Sequence, residues 1–258
     1  PDRSRRQAGG EALAATLKDN LRLFTLIHNT LIKEKEIEDR WRKLPATDSA
    51  RHLANQVEPE VVDALREAVL GAAPRLTHRY YAMKAKWLGL DRLEFWDRNA
   101  PLPESDDRTV PWDEARETVL SAYAGFSPKM AALAEPFFDR GWIDAGVKPG
   151  KAPGAFAHPT VTDAHPYVLL NYLGKPRDVM TLAHELGHGV HQRLAAGQGE
   201  LLSHTPLTLA ETASVFGEML TFRKLLAEET DPAKKKSLLA GKLEDMLNTV
   251  VRQIAFYE

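Results

Sequence analysis

The chain has 258 residues, 43% of them hydrophobic and 27% charged, with a formal net charge of −2. That is the balance of an ordinary folded domain, and so small a charge gives no electrostatic reason to expect nucleic acid or an anionic membrane as a partner. Cysteine is absent, which excludes disulfides and thiolate metal sites, and no apolar run approaches the roughly 18 residues of a membrane span.

The first third reads as long helices, after a basic start (Arg3, Arg5, Arg6) that reads as a solvated, frayed terminus. Leu13, Leu17, Leu21, Phe24, His28 and Leu31 recur at helical spacing in one segment that Pro45 ends. Pro59 opens a second helix carrying Val61, Leu65 and Val69, and Pro74 is expected to interrupt it before Tyr80 to Trp87 resume. A short strand is expected around Leu93 to Trp96. Pro101, Pro103 and Asp106 to Pro111 form the loop best suited to a subdomain boundary.

Helices return at Trp112 to Tyr123 and, from Ser127-Pro128, through Phe138. Glycine and proline then punctuate the chain around Gly146 to Gly154, followed by Gly154 to His158 and the β-rich run Pro166 to Tyr172. At a sheet edge, Tyr167 to Tyr172 would hold an extended peptide by strand addition. Three further helices close the sequence, giving a fold that is mainly α with a small β-sheet.

Residues 184–188 read His-Glu-Leu-Gly-His. A helix is expected here, capped by Asp178, ended by Gly197 and packed through Val179, Leu182, Leu186 and Val190. Four residues apart on one face, His184 and His188 can direct two imidazoles at one zinc ion. Glu185 beside them is placed to act as general base toward water at the metal. A third ligand decides the subclass. The metzincin pattern needs glycine at 191 and histidine at 194, where this chain has His191 and Leu194.

A gluzincin takes a glutamate from a following helix, and Glu211 in the run Leu207 to Glu218 meets that need, with Thr205-Pro206 as N-cap and first helical residue. Leu209, Ala213, Phe216 and Leu220 make its expected core stripe. Ala210, Ser214 and Gly217 permit the close helix approach that a carboxylate needs to share a metal with both histidines. Glu218 stands as an alternative ligand, as a group orienting a ligand imidazole, or as an exposed charge. Gly187 and Gly189 each cost about 1 kcal/mol against alanine in a helix, so close packing against the second ligand helix or against substrate is expected there. His191 is open between a cleft and a surface role, and His158 and His165, flanking the strand region, between substrate contact and solvation.

At these residues the chain resembles the oligoendopeptidase F family, relatives of the thimet oligopeptidases. The resemblance rests on Gly154-Ala-Phe, on Tyr167-Val-Leu-Leu-Asn-Tyr, on the run Asp178 to His191 that holds the paired histidines, and on Glu211-Thr-Ala-Ser-Val-Phe-Gly-Glu218. It implies zinc-dependent endopeptidase cleavage of short oligopeptides in a deep, mostly helical channel, and a bacterial cytoplasmic role. On that basis residues 1–110 are a helical subdomain forming one wall of the channel, and 111–258 are the zinc core. One Zn2+ is expected, held by His184, His188 and Glu211 with Glu185 as the catalytic base, and neither nucleic acid nor membrane is expected as a partner.

The family continues to a Tyr- and His-bearing segment that polarises the scissile carbonyl, whereas here no histidine follows His204 and the later tyrosine is Tyr257. An N-terminal portion of the family's chain is also expected to be missing. Leu239, Leu243, Met246, Val250 and Ile254 give a closing amphipathic helix that runs to Glu258, so self-association or a complementing C-terminal segment is expected. The alternative reading is a zinc-binding, catalytically weak peptide-binding fragment.

Overall fold

The computed structural model describes residues 2–102 and 108–258; Pro103 and Asp106, part of the expected boundary loop, lie outside the described residues. The helices are α1 (Arg3–Asp19), α2 (Leu21–Arg42), α3 (Ser49–Asn55), α4 (Pro59–Ala73) and α5 (Arg79–Trp87) in the first part of the chain. There follow α6 (Trp112–Phe126), α7 (Pro128–Asp139), α8 (Pro176–Ala195), α9 (Leu207–Glu228), α10 (Pro232–Thr249) and α11 (Val251–Tyr257). Between α7 and α8 lie the short strands β1 (Ile143–Asp144), β2 (Phe156–His158) and β3 (Tyr167–Leu169). The chain divides into two compact units, Pro1–Ser105 with Ala240–Glu258, and Asp106–Leu239.

In the first unit the apolar spacing expected of one helix is split between two. Asn20 leaves the helical region at φ −104°, ψ 9°, and its side-chain amide donates to the Thr16 carbonyl, a local bond that competes with helix continuation. Neither α1 nor α2 buries a residue, and Leu13, Leu17, Leu21, Phe24 and Leu31 stay exposed. The basic start is anchored, not frayed: Arg3 and Arg6 pair at 2.9 and 3.0 Å with the carboxylate of the fully buried Asp97.

Pro74 does not interrupt the second helix. Its own backbone is helical (φ −59°, ψ −41°), and the chain widens into a π turn over Pro74–His78, which absorbs the missing amide donor. The strand expected at Leu93 to Trp96 is a 3₁₀ turn, Phe95–Asp97, because Asp97 reaches back to the Glu94 amide in a reciprocal cap. The closing amphipathic helix breaks at Val250. Ala240, Leu247 and Ile254 are its buried apolar residues, while Leu239, Leu243, Met246 and Val250 remain exposed. Fully buried Lys84 of α5 ties to this segment through an ion pair with Glu244.

The second unit carries the larger core. Val119 and Tyr123 of α6, Ala134 and Phe137 of α7, Val168 and Leu170 of the β3 region, and Val179, Leu182, Leu186 and Val190 of α8 form one buried cluster. The stripe read from the sequence of α8 is thus the core face, each large side chain contributing about 1.5–3 kcal/mol by burial. The sheet has the order β1-β3-β2, with β1 parallel and β2 antiparallel to β3. β3 is therefore central, not an edge, and its backbone is occupied on both sides. The two-residue β1 is too short to leave a period in the sequence. The Lys151 ammonium donates at 2.8 Å to the carbonyls of Asp144, Gly146 and Leu170, locking the strand ends together. No described helix is long and apolar enough to cross a membrane.

Candidate metal centre

Two helices of the second unit, α8 and α9, build the site. α8 starts at Pro176, two residues before Asp178, which caps it from the third helical position by accepting from the amides of Leu173 and Lys175 at 2.9 and 3.0 Å. Its end is Ala195, before Gly197, which lies within a following 3₁₀ turn. α9 starts one residue later than expected. Pro206, extended at φ −63°, ψ 150°, occupies the N-cap in place of Thr205.

The helices touch backbone to backbone. A Cβ on Gly187 would stand 2.6 Å from the Ala213 carbonyl oxygen and 2.7 Å from the Ser214 Cα. On α9, a Cβ at Gly217 would meet first the Tyr123 hydroxyl of α6 and then, at 3.1 Å, the Ala183 carbonyl to which that hydroxyl donates. Gly189 has a different partner: its Cβ would lie 2.5 Å from the Phe137 ring of α7. Each helix-weakening glycine thus has a packing cause, one of them outside the ligand helices. The same closeness overturns the stripe expected on α9. Its buried residues are Ser214, Gly217, Thr221, Phe222 and Leu225, while Leu209 and Phe216 are exposed: beside Gly187 the gap accepts only small side chains, and Phe222 and Leu225 pack further along on Met180 of α8.

This approach brings the expected ligands together. His184 Nε2 lies 3.2 Å and His188 Nε2 3.5 Å from the same Glu211 oxygen, Oε2, and the ligand atoms of the three residues are all within 4.8 Å of one another. A tetrahedral Zn2+ with bonds of about 2.1 Å sets its ligand atoms about 3.4 Å apart. The donor set and its spacing fit that ion.

Glu185 lies beside them, 6% exposed. Burial, opposed by the nearby His184 and reinforced by Glu211, pushes its carboxyl up to about 7. Its Oε2 is buried without a hydrogen-bond partner in the protein. Burial opposes charge on His184, yet the hydrogen bond to Glu218 and the charges of Glu185 and Glu211 prevail and raise its pKa. Burial lowers that of His188, aided by His184 and His191 and opposed by Glu211.

Two contacts extend the site. Glu218 Oε2 is 3.1 Å from His184 Nδ1, and the Ser214 hydroxyl donates to Glu211 Oε2 at 2.6 Å. Ser214 was legible in the sequence only as a small residue; its position three residues after Glu211, on the same helical face, was the available signal. His191 lines a cavity of about 440 Å³ with Gly187, Val190, Leu194 and Phe216, outside the ligand cluster. His165 stacks on Trp142 at 3.9 Å between ring centroids, and exposed His158 accepts from the Thr160 amide at 3.0 Å. Tyr257 donates to Asp48 within the first unit.

The chain is 28% identical over 258 residues to the chromosomal oligoendopeptidase F of Lactococcus lactis subsp. cremoris, covering 100% of this chain and 42% of that protein. It is 30% identical over 261 residues to the oligoendopeptidase F homolog of Lactococcus lactis subsp. lactis, with the same coverage. A crystal structure from Chlamydophila abortus superposes with a TM-score of 0.82 and 26% identity over 97% of this chain and 42% of that one. The oligoendopeptidase-F of Enterococcus faecium gives 0.66 and 23%, over 99% of this chain and 38% of that one, a likeness of fold. The chain therefore spans about two fifths of the length of the curated relatives it matches. The profile described as peptidase family M3 matches residues 1–258 without remainder, and by that match the chain belongs to peptidase family M3.

Proposed function

We propose that the chain is the catalytic core of a zinc-dependent endopeptidase acting on short peptides. The observation that carries this reading is the convergence of His184 Nε2, His188 Nε2 and Glu211 Oε2 beside a buried carboxylate, Glu185, with an unpartnered oxygen. Zn2+ bound there would supply a Lewis acid able to polarise a peptide carbonyl and acidify water. His184, His188 and Glu211 would hold it, and the Glu211 side chain, 60% exposed, keeps the cluster accessible from solvent. Glu185, buried beside the cluster with Oε2 unpartnered in the protein, takes a proton from the attacking water and returns it to the leaving amine. With β3 central, an extended peptide would have to pair with the outer edge of β2. A cytoplasmic role in peptide turnover belongs to the same reading.

The chain's share of its relatives' length, 42%, favours a second reading, in which these residues hold zinc and peptide but turn over weakly. Elemental analysis and a quenched fluorescent peptide test both. About one zinc per chain with hydrolysis abolished by chelation supports the first, zinc with binding but negligible hydrolysis the second, and failure to take up zinc rejects both.

A further inference from the structure

One charged neighbour of the metal ligands, Glu218, has no part in the catalytic reading above. Glu218 sits seven residues beyond Glu211, two turns along α9, so both carboxylates face α8 from one side. Its Oε2 is 3.1 Å from Nδ1 of His184, and the Nε2 of that ring is 3.2 Å from Glu211 Oε2. One imidazole therefore bridges two glutamates of the same helix, one at each nitrogen. The Glu218 side chain is only 16% exposed, and Gly217 beside it closes the interhelix gap against the Ala183 carbonyl, which lets a two-carbon arm reach the ring.

We propose that Glu218 is a positioning residue for the metal centre: it accepts the Nδ1–H of His184 and thereby fixes the ring orientation and the tautomer that presents the Nε2 lone pair to the ion. This rests on the assignment of His184, His188 and Glu211 as ligands. The physical reason is that a neutral imidazole carries one proton, and an acceptor at one nitrogen keeps it there and leaves the other nitrogen as donor to a metal. A carboxylate also makes the ring more basic than a neutral acceptor does. His188 differs in this respect: it meets Glu211 through Nε2 at 3.5 Å, and on α9 it is the Ala210 backbone, not a second carboxylate, that favours its charged form. The two histidines are thus held unequally, and His184 is the ligand whose affinity for the ion depends on a side chain. Ser214 does the corresponding work for Glu211, donating at 2.6 Å to the oxygen that faces both rings.

The test is zinc affinity, measured by chelator competition on the 258-residue chain, with melting of the metal-free protein as control. Glu218→Gln, which keeps shape and removes charge, is expected to weaken zinc about 10–100-fold, to shift the visible spectrum of the cobalt(II)-loaded protein, and to leave metal-free melting unchanged. Zinc affinity within threefold of the parent in Glu218→Gln and Glu218→Ala, while His184→Ala loses the metal, would overturn this proposal alone. Parent-like zinc binding by His184→Ala would overturn the ligand assignment and this proposal with it. Should the variants not fold, long-range proton–nitrogen spectra of the metal-free parent decide: a neutral His184 protonated on Nδ1 supports the proposal, and one protonated on Nε2 refutes it.

Discussion

At the scale of single residues, Glu185 joins two roles that separate experimentally. It is next to the ligands without being one, so Glu185→Gln should retain zinc while peptide hydrolysis falls by at least ~100-fold; loss of zinc from that variant would make Glu185 structural. Its raised pKa also has a thermodynamic consequence. A carboxyl that ionises near 7 when folded and near 4.3 when unfolded binds more protons in the native state between those values, so stability falls as pH rises through that window. Metal-free protein should therefore lose on the order of 1–3 kcal/mol between about pH 4.5 and 7 from this group. Glu185→Gln should flatten that slope in denaturation curves taken across the range, and an unchanged slope would place the titration elsewhere.

Among the helices, the contact of α8 with α9 decides whether a centre exists, and two glycines show the difference between a required and an incidental one. Gly187→Ala places a methyl 2.6 Å from the Ala213 carbonyl, against backbone that has no rotamer to change. It should destabilise the chain by about 1–3 kcal/mol and weaken zinc, because the helices that carry the ligands must separate. Gly71, inside α4, would meet nothing within 4 Å with an added Cβ. Gly71→Ala should instead stabilise by about 0.5–1 kcal/mol through the unfolded state. Urea melts of the two variants give opposite signs if this account of the interface is right. Equal effects would remove it.

For the molecule as a whole, the exposed apolar faces govern behaviour in solution. Leu13 and Leu17 of α1 and Leu21, Phe24 and Leu31 of α2 all lie exposed, and grouped apolar surface of that kind favours association. Purified residues 1–258 should accordingly show a mass by light scattering that rises above 28.8 kDa with concentration. Leu17→Glu combined with Leu31→Glu should move it back toward that value. A single species of 28.8 kDa across the range would count against association.

The sequence by itself determined what is local and periodic. The His-Glu-Leu-Gly-His run, the α8 stripe of Val179, Leu182, Leu186 and Val190, and the small residues of α9 each follow from helical spacing, because a period of 3.6 fixes which side chains share a face before anything packs on them. Those readings yielded the helical class and the three candidate ligand positions, His184, His188 and Glu211, which lie together in the structure. Tertiary structure alone decided the rest. Spacing showed that Leu209 and Phe216 share a face of α9, but only the approach of Gly187 to Ala213 made Ser214 and Gly217 the buried side. The β-rich run Pro166 to Tyr172 marked β3, but which strand is central depends on β1, two residues with no period of their own. His165 and His191 read alike as histidines near a motif, yet one stacks on Trp142 and the other lines an apolar cavity. Periodicity ranks the faces of an element; the partner that meets a face is set by contacts distant in sequence, and those contacts select among the roles left open for Glu218 and reveal the bond of Ser214.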